Sequence, residues 1–231
     1  PGLTEFVRSY VVAIAAKKIN WIREIYKDRM DLVENGEMIE EYINHVMSVI
    51  RPTTLIESAY NANCIFEAIK EDPELKVSIF KKINDNNPNQ PWFFTNTSSI
   101  PIQYLNEQAN LNGRIIGYHF YNPPAVQKLV ELIEAKNTLP EIREFSLQLA
   151  GKLKKIIVES NDVVGFIGNG HFMRDIIHAA NEVQRLEKEY GFVQAVYMMN
   201  KVSQEYLVRP MGIFQLIDYV GIDVCSFIMS V

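Results

Sequence analysis

The stretch that decides the fold is GRIIGYHFYNPP at residues 113–124, followed closely by KLVE at residues 128–131. Its apolar and aromatic part, residues 114–120, is typical of a strand and carries His119 close to its end. The two consecutive prolines fix φ and cannot continue a strand, so the chain must turn. A second apolar run then carries Glu131. Neighbouring strand ends that present His and Glu are suited to a general base with its orienting carboxylate.

The composition excludes several classes of protein. Of 231 residues, 48% are hydrophobic and 22% are charged, which is typical of a globular protein with one large domain or two modest ones. A net charge of −5 argues against nonspecific nucleic-acid binding. No apolar run approaches the roughly 20 residues that span a bilayer, so we expect no membrane contact. Cys64 and Cys225 lie in apolar runs without metal-ligand spacing, which favours buried free thiols, a reducing compartment and a cytoplasmic location.

The apolar spacing divides the chain into helical and strand-like segments. Residues 5–48 have helical periodicity, broken at Gly36, and the pattern ends at Arg51 because a residue before proline avoids the helical region. Further along, short apolar runs predict strands at 64–69, 92–95, 114–120, 128–133 and 155–159. Amphipathic segments predict helices at 73–83, 101–106 and 140–150, the first opened by Asp72-Pro73 and the last closed by Gly151 as a cap. This alternation indicates an α/β layer with much parallel pairing.

The pattern changes after Asp162. From there to Val231 the sequence is helical almost throughout, broken near Gly191 and at Arg209-Pro210. We therefore predict two domains, residues 1–162 and residues 163–231.

A series of short motifs in one order leads to a family. They are Arg51-Pro-Thr-Thr54, Phe66-Glu-Ala-Ile69 with Glu71 and Lys76, Thr95-Asn-Thr-Ser-Ser99, His119-Phe-Tyr-Asn-Pro-Pro124, Lys128-Leu-Val-Glu131, Gly165-Phe-Ile-Gly-Asn169, and Pro210-Met-Gly-Ile-Phe-Gln-Leu-Ile-Asp218 with Gly221-Ile-Asp223. In order and spacing the chain resembles the NAD-dependent 3-hydroxyacyl-CoA dehydrogenases. The resemblance implies an α/β Rossmann-type domain, incomplete at its N-terminus, followed by an all-α C-terminal domain.

The resemblance also implies roles for individual residues. The catalytic histidine of the family falls on His119, its paired glutamate on Glu131, the substrate-contacting serine on Ser98 and the substrate-side asparagine on Asn169. Contacts to the nicotinamide side of NAD fall on Glu71, Lys76, Ser98 and Asn122. The implied partners are an acyl-CoA substrate and a second copy of the chain, which would form a homodimer through the helical domain.

The chemistry agrees with these residue types. Oxidation of a secondary alcohol needs a base that takes the hydroxyl proton, and the ordinary pKa of histidine, about 6.5, suits that task near neutral pH. A neighbouring glutamate fixes the tautomer and stabilises the imidazolium. Ser98 and Asn169 can hydrogen-bond the substrate oxygen and orient the reacting carbon.

The sequence departs from the family pattern at three places. It contains no Gly-x-Gly-x-x-Gly turn and no acidic residue for the ribose. The helical domain of the family continues well beyond the Pro210–Asp218 motif. Gly170 stands after Asn169, where the family usually has arginine. We interpret the chain as an internal fragment of a longer enzyme, with a natural short relative as the alternative, and residues 1–40 only as helix.

Two functions remain open at this point. The first is NAD-dependent oxidation of an (S)-3-hydroxyacyl-CoA to the 3-oxoacyl-CoA. The second is a non-catalytic acyl-CoA-binding or dimerisation module, which the missing glycine turn favours. The presence of His119, Glu131, Ser98 and Asn169 together favours the enzyme.

Overall fold

The computed structural model describes residues 2–230. It divides into two compact units, one ending at Ser58 and the other beginning at Ala59. Pro1 and Val231, the outer limits of the two predicted domains, lie outside the described residues. The domain boundary expected near residue 162 stays a prediction.

The N-terminal unit is built from three helices: α1 (Gly2–Lys17), α2 (Ile19–Ile25) and α3 (Asn35–Val49). Its small core is apolar and contains Val11, Ala15, Ile22 and Ile43. The helical prediction is confirmed, but the break expected at Gly36 was wrong, because Gly36 lies in the first turn of α3. The Glu37 carboxylate accepts the backbone N–H of Glu34 at 3.1 Å, which starts the helix ahead of the glycine.

The second unit carries a five-stranded sheet in the order β1-β2-β3-β4-β5. Its strands are β1 (Cys64–Glu67), β2 (Trp92–Thr95), β3 (Ile115–Phe120), β4 (Leu129–Glu134) and β5 (Ile156–Ser160), and a 3-10 helix (Ile56–Asn61) precedes them. All pairs are parallel except β3 with β4, which is antiparallel. The predicted α/β layer with mainly parallel pairing is therefore confirmed.

The helices of this layer are α4 (Pro73–Asn86), α5 (Ile102–Gln108) and α6 (Pro140–Lys152). Strand β1 stops at Glu67, short of the predicted Ile69, because the Glu67 carboxylate accepts the Ile69 N–H at 2.6 Å and turns the chain. The expected cap at Gly151 was wrong. Helix α6 continues through Gly151, and the left-handed backbone angle falls on Lys154, whose φ is 56°.

Four helices follow the sheet: α7 (Gly168–Tyr190), α8 (Phe192–Glu205), α9 (Ile213–Val220) and α10 (Ile222–Ser230). The predicted breaks at Gly191 and at Arg209-Pro210 are confirmed. Gly191 has φ 81°, which favours glycine, and its N–H closes the last turn of α7 on the Glu187 carbonyl. Their buried side chains form one apolar cluster, which includes Met173, Ile176, Ala179, Val183, Ala195 and Met199. An α/β sheet region followed by an all-α region is the predicted fold class.

The sheet gathers polar residues at one edge. The carboxyl ends of β1, β2 and β3 lie together because these strands are parallel. They deliver Glu67, Thr95 and His119 to that edge, and the antiparallel β4 brings Glu131 directly opposite His119. Below the edge, Phe94, Ile116 and Tyr118 are buried against α6. A polar site thus stands on a rigid apolar layer.

Candidate active site

A histidine and a glutamate form the centre of the site. His119 and Glu131 are register partners in the antiparallel pair of β3 and β4, so their side chains leave the same face of the sheet. The His119 Nδ1 lies 2.6 Å from the Glu131 Oε2. Both residues are buried, Glu131 with only 1% of its surface exposed. The predicted hydrogen-bond contact between the two is confirmed.

The other oxygen of Glu131 is held by the start of α7. Its Oε1 accepts the backbone N–H of Ile167 at 3.0 Å and of Gly168 at 2.9 Å. A carboxylate at a helix N-terminus is favoured both by the unpaired N–H groups and by the helix dipole. The carboxylate therefore joins β3, β4 and α7 at one point.

A second carboxylate organises the loop after β2. The Glu71 Oε1 accepts the Thr97 hydroxyl at 2.5 Å and the backbone N–H of Ser98 at 2.8 Å and of Ser99 at 3.1 Å. The Ser98 hydroxyl lies 3.3 Å from the same oxygen. The loop that carries Ser98 is thus shaped around Glu71.

Lys76 lies sealed between two carboxylates. Its ammonium donates to the Glu67 Oε1 at 2.7 Å and lies 3.3 Å from the Glu71 Oε2 and 3.4 Å from the Ile69 carbonyl. Only 1% of the lysine surface is exposed. The three ammonium protons of Lys76 thus each have a protein oxygen as partner. The Thr95 hydroxyl donates to the remaining Glu67 oxygen at 2.7 Å.

The structure connects most of the predicted site residues but not all of them. The Asn169 amide donates to the Ser98 carbonyl at 2.9 Å, which joins α7 to the loop that Glu71 organises. Asn169 also directly follows Gly168, so the two carboxylate centres meet at the start of α7. Asn122 lies apart from them. It is exposed and lines a separate cavity of about 230 Å³ beside β1 and β2.

A larger cavity, of about 800 Å³, opens beside Ser98. Its walls include Glu71, Tyr104 of α5, and Asp223 and Val224 of α10. The cavity beside the Ser98 hydroxyl is large enough for part of a small-molecule ligand.

Both carboxylates are held in the charged form. Burial opposes charge on Glu71, but the Thr97 hydroxyl, the Lys76 ammonium and the Ser98 N–H outweigh it and keep the pKa of Glu71 below its usual value. Burial also opposes charge on Glu131, and hydrogen bonds from His119 and the Gly168 N–H keep its pKa low as well. A charged Glu131 can stabilise a proton arriving on His119.

The described residues do not fit the pyrophosphate of a dinucleotide. Such a group needs free N–H groups at a helix N-terminus beside the carboxyl ends of parallel strands. Here α4 is capped by Asp72, α5 by Asp162 and α7 by Glu131, each through hydrogen bonds from the helix N–H groups. Helix α6 begins at the opposite edge of the sheet because β4 is antiparallel.

Three contributors to the site escaped the sequence reasoning. They are Glu67, Thr97 and Tyr121, whose ring centroid lies 5.3 Å from that of His119. Tyr121 could have been found from strand alternation, since residues two apart leave a strand on the same face. The roles of Glu67 and Thr97 depend on contacts across the sheet, which have no signal in one sequence.

Within residues 2–230, no helix is long and apolar enough to cross a membrane, and no cluster of three metal-ligating residues occurs.

Comparison with known proteins gives one consistent result. Residues 8–163 match the family model described as 3-hydroxyacyl-CoA dehydrogenase, NAD binding domain. A probable 3-hydroxybutyryl-CoA dehydrogenase of Bacillus subtilis is 32% identical over 226 residues, 98% of this chain and 76% of the relative. The mitochondrial hydroxyacyl-coenzyme A dehydrogenase of Sus scrofa is 29% identical over 210 residues, 90% of this chain and 64% of the relative.

A solved structure agrees with the sequence matches. The (S)-3-hydroxybutyryl-CoA dehydrogenase from Ralstonia eutropha superposes with a TM-score of 0.72 at 25% identity, covering 95% of this chain and 72% of that one. The family match also begins earlier than the motifs indicated. The matched region starts at residue 8, so it includes most of the segment that the sequence analysis interpreted only as helix.

Proposed function

Because the chain belongs to the 3-hydroxyacyl-CoA dehydrogenase family, we propose that it carries the catalytic base of an enzyme that oxidises (S)-3-hydroxyacyl-CoA to 3-oxoacyl-CoA. NAD is the cofactor of the family's matched domain. The observation that carries the proposal is the 2.6 Å contact between the His119 Nδ1 and a buried, charged Glu131.

His119 is the proposed general base. With its Nδ1 facing the carboxylate, Nε2 is the ring nitrogen left for the substrate hydroxyl. That nitrogen takes the hydroxyl proton on oxidation and returns it to the carbonyl oxygen in the reverse direction. Glu131 fixes the ring orientation and stabilises the imidazolium, as an oriented carboxylate does beside other catalytic histidines.

Ser98 and Asn169 are the proposed substrate-orienting residues. The Ser98 hydroxyl lies at the wall of the 800 Å³ cavity. The Asn169 amide nitrogen is already committed to the Ser98 carbonyl, so its oxygen is the atom left for a ligand. Supported by β2 and α7, these two groups would hold the reacting carbon in a fixed place.

Glu71, Ser98 and Asn122 are the proposed residues on the nicotinamide side. For Lys76 we propose an indirect role through Glu71, because its ammonium is enclosed by Glu67, Glu71 and the Ile69 carbonyl. The described helix N-termini do not accommodate the pyrophosphate of the cofactor.

The second candidate function is a non-catalytic acyl-CoA-binding or dimerisation module. It is favoured by one observation: the three helix N-termini at the carboxyl edge each already hold a carboxylate. A chain that keeps the acyl-CoA contacts without a dinucleotide would have this appearance.

An assay of NADH consumption with a 3-oxoacyl-CoA tests the proposal, together with calorimetry of acyl-CoA binding. The assay is run with NADH far above micromolar concentration, because the described helix N-termini hold carboxylates where a pyrophosphate would bind. We expect His119→Ala to lower turnover by a factor on the order of 10² or more with acyl-CoA binding retained. The exposed His45→Ala is the matched control and should behave as the unaltered chain. Unchanged turnover in His119→Ala would remove His119 from the mechanism, and acyl-CoA binding without any turnover would favour the second candidate.

The homodimer and the cytoplasmic location remain proposals. Several large apolar side chains of the last four helices are exposed, among them Ile177, Phe192, Val193 and Tyr219. Apolar surface of this kind is typical of a partner contact, and a second copy would cover it. Both cysteines are free, which suits a reducing compartment.

A further inference from the structure

We propose that Tyr121 is a positioning residue whose hydroxyl is a fourth hydrogen-bond donor to Glu131, in a space that Gly168 leaves open for it. The proposal deepens the proposed function, since it rests on Glu131 orienting His119 for proton transfer.

Tyr121 stands on the same side of the sheet as the histidine. It comes directly after β3, two residues beyond His119, and strand alternation places the two side chains on one face. The two ring centroids are 5.3 Å apart with the planes inclined by 43°. The tyrosine is half-buried, and its ring lies beside that of the histidine.

Gly168 marks the point that the hydroxyl reaches. A Cβ built on Gly168 would overlap the Tyr121 hydroxyl and lie 2.9 Å from its Cε1 and 3.0 Å from its Cζ. Gly168 is not among the glycines with positive φ, so it is the space and not the backbone angle that demands a glycine. The N–H of the same residue donates to the Glu131 Oε1. Hydroxyl, glycine and carboxylate therefore meet at one place.

The electrostatics agree with a donor hydroxyl. Burial, followed by the charge of Glu131, raises the pKa of Tyr121 above its usual value, so the phenol keeps its proton. The carboxylate charge is then shared among His119, two backbone N–H groups and the phenol. Without the hydroxyl, more of that charge acts on the imidazole, and the carboxylate has one anchor fewer.

The experiment is a double-mutant cycle of Tyr121→Phe and Gly168→Ala. We expect Tyr121→Phe to lower turnover about 5-fold, the equivalent of one hydrogen bond of about 1 kcal/mol, with KM nearly unchanged. The acidic limb of its pH–rate profile should move to higher pH. Gly168→Ala should lower turnover further, and adding Tyr121→Phe to it should restore part of the loss because the overlapping oxygen is gone. The exposed Tyr206→Phe is the matched control.

A second readout does not depend on turnover. The proton between the His119 Nδ1 and Glu131 should give a downfield NMR resonance that Tyr121→Phe shifts and Tyr206→Phe leaves in place. If the unaltered chain has no turnover, the proposed function fails. The NMR resonance and the stability of the four members of the cycle still test the role of Tyr121. An unmoved resonance in Tyr121→Phe, or effects of the two substitutions that simply add, would overturn the proposal.

Discussion

Two buried ionisable clusters occupy the same edge of the sheet, yet they are built for different tasks. At β3 and β4, Glu131 faces a histidine, a side chain that can act as a general acid or base. At β1 and α4, Glu67 and Glu71 face the ammonium of Lys76. The first cluster can exchange a proton with a ligand, and the second can only hold charge in place.

This contrast indicates which of the two buried clusters is suited to catalysis. Burial alone does not distinguish them, since Lys76 and Glu131 are each 1% exposed. What distinguishes them is whether a polar atom of the cluster is left free to bind a ligand. Among residues 2–230 no hydrogen-bond partner occurs for the His119 Nε2, whereas the three ammonium protons of Lys76 all face protein oxygens.

The largest effect is expected from breaking the lysine cluster. Lys76→Met leaves two buried or half-buried carboxylates without their counter-charge, and the free energy of unfolding should fall by about 3–5 kcal/mol. Urea denaturation followed by circular dichroism measures it. The exposed Lys81→Met on the same helix is the control and should stay within about 0.5 kcal/mol.

A companion variant keeps this prediction testable if Lys76→Met does not fold. Adding Glu67→Gln removes the buried charge that the lysine neutralised, so the double variant should recover part of the lost stability. If Lys76→Met and Lys81→Met lower the free energy of unfolding by equal amounts, the ion pairs of Lys76 do not contribute to stability.

An intermediate effect is expected from pH. The pKa values of Glu71 and Glu131 are lowered in the folded protein, so the unfolded chain binds more protons in acid. Their stabilisation is present above the ordinary carboxyl pKa of 4.5 and is lost as the pH falls through the lowered values. Glu131→Gln should therefore lose less stability than the unaltered chain as the pH falls from about 5 to about 2.

Thermal unfolding across that pH range checks the second prediction, with the exposed Glu187→Gln as its control. The control should keep the full acid sensitivity. An unchanged acid sensitivity in Glu131→Gln would mean that this carboxylate is not held in its charged form by the site.

The smallest effect is expected in the binding of NAD, measured by calorimetry. A pyrophosphate needs free N–H groups at a helix N-terminus, and α4, α5 and α7 each present a carboxylate there. Calorimetry with residues 1–231 should therefore show binding far weaker than micromolar. Micromolar binding would require a cofactor site built differently from the one expected in this family.

Local sequence patterns predicted much of the fold correctly. The alternation of apolar runs and amphipathic segments located all five strands to within two residues at either end, because side-chain periodicity is a local property. Gly36 and Gly151 misled the prediction for a related reason. A glycine permits a break but does not compel one: α3 begins one residue before Gly36, and α6 continues through Gly151.

The residue types of the site, the turn after His119 and, through the ordered motifs, the family follow from short segments of the sequence. Which charges meet depends on the folded core. The antiparallel register set Glu131 against His119, the start of α7 supplied its N–H groups, and Gly168 made room for the Tyr121 hydroxyl. The hydrogen bonds to Glu131 alone join residues that lie 12 to 37 positions apart in the chain. They follow from strand order and packing, which arise from the whole core rather than from any short segment.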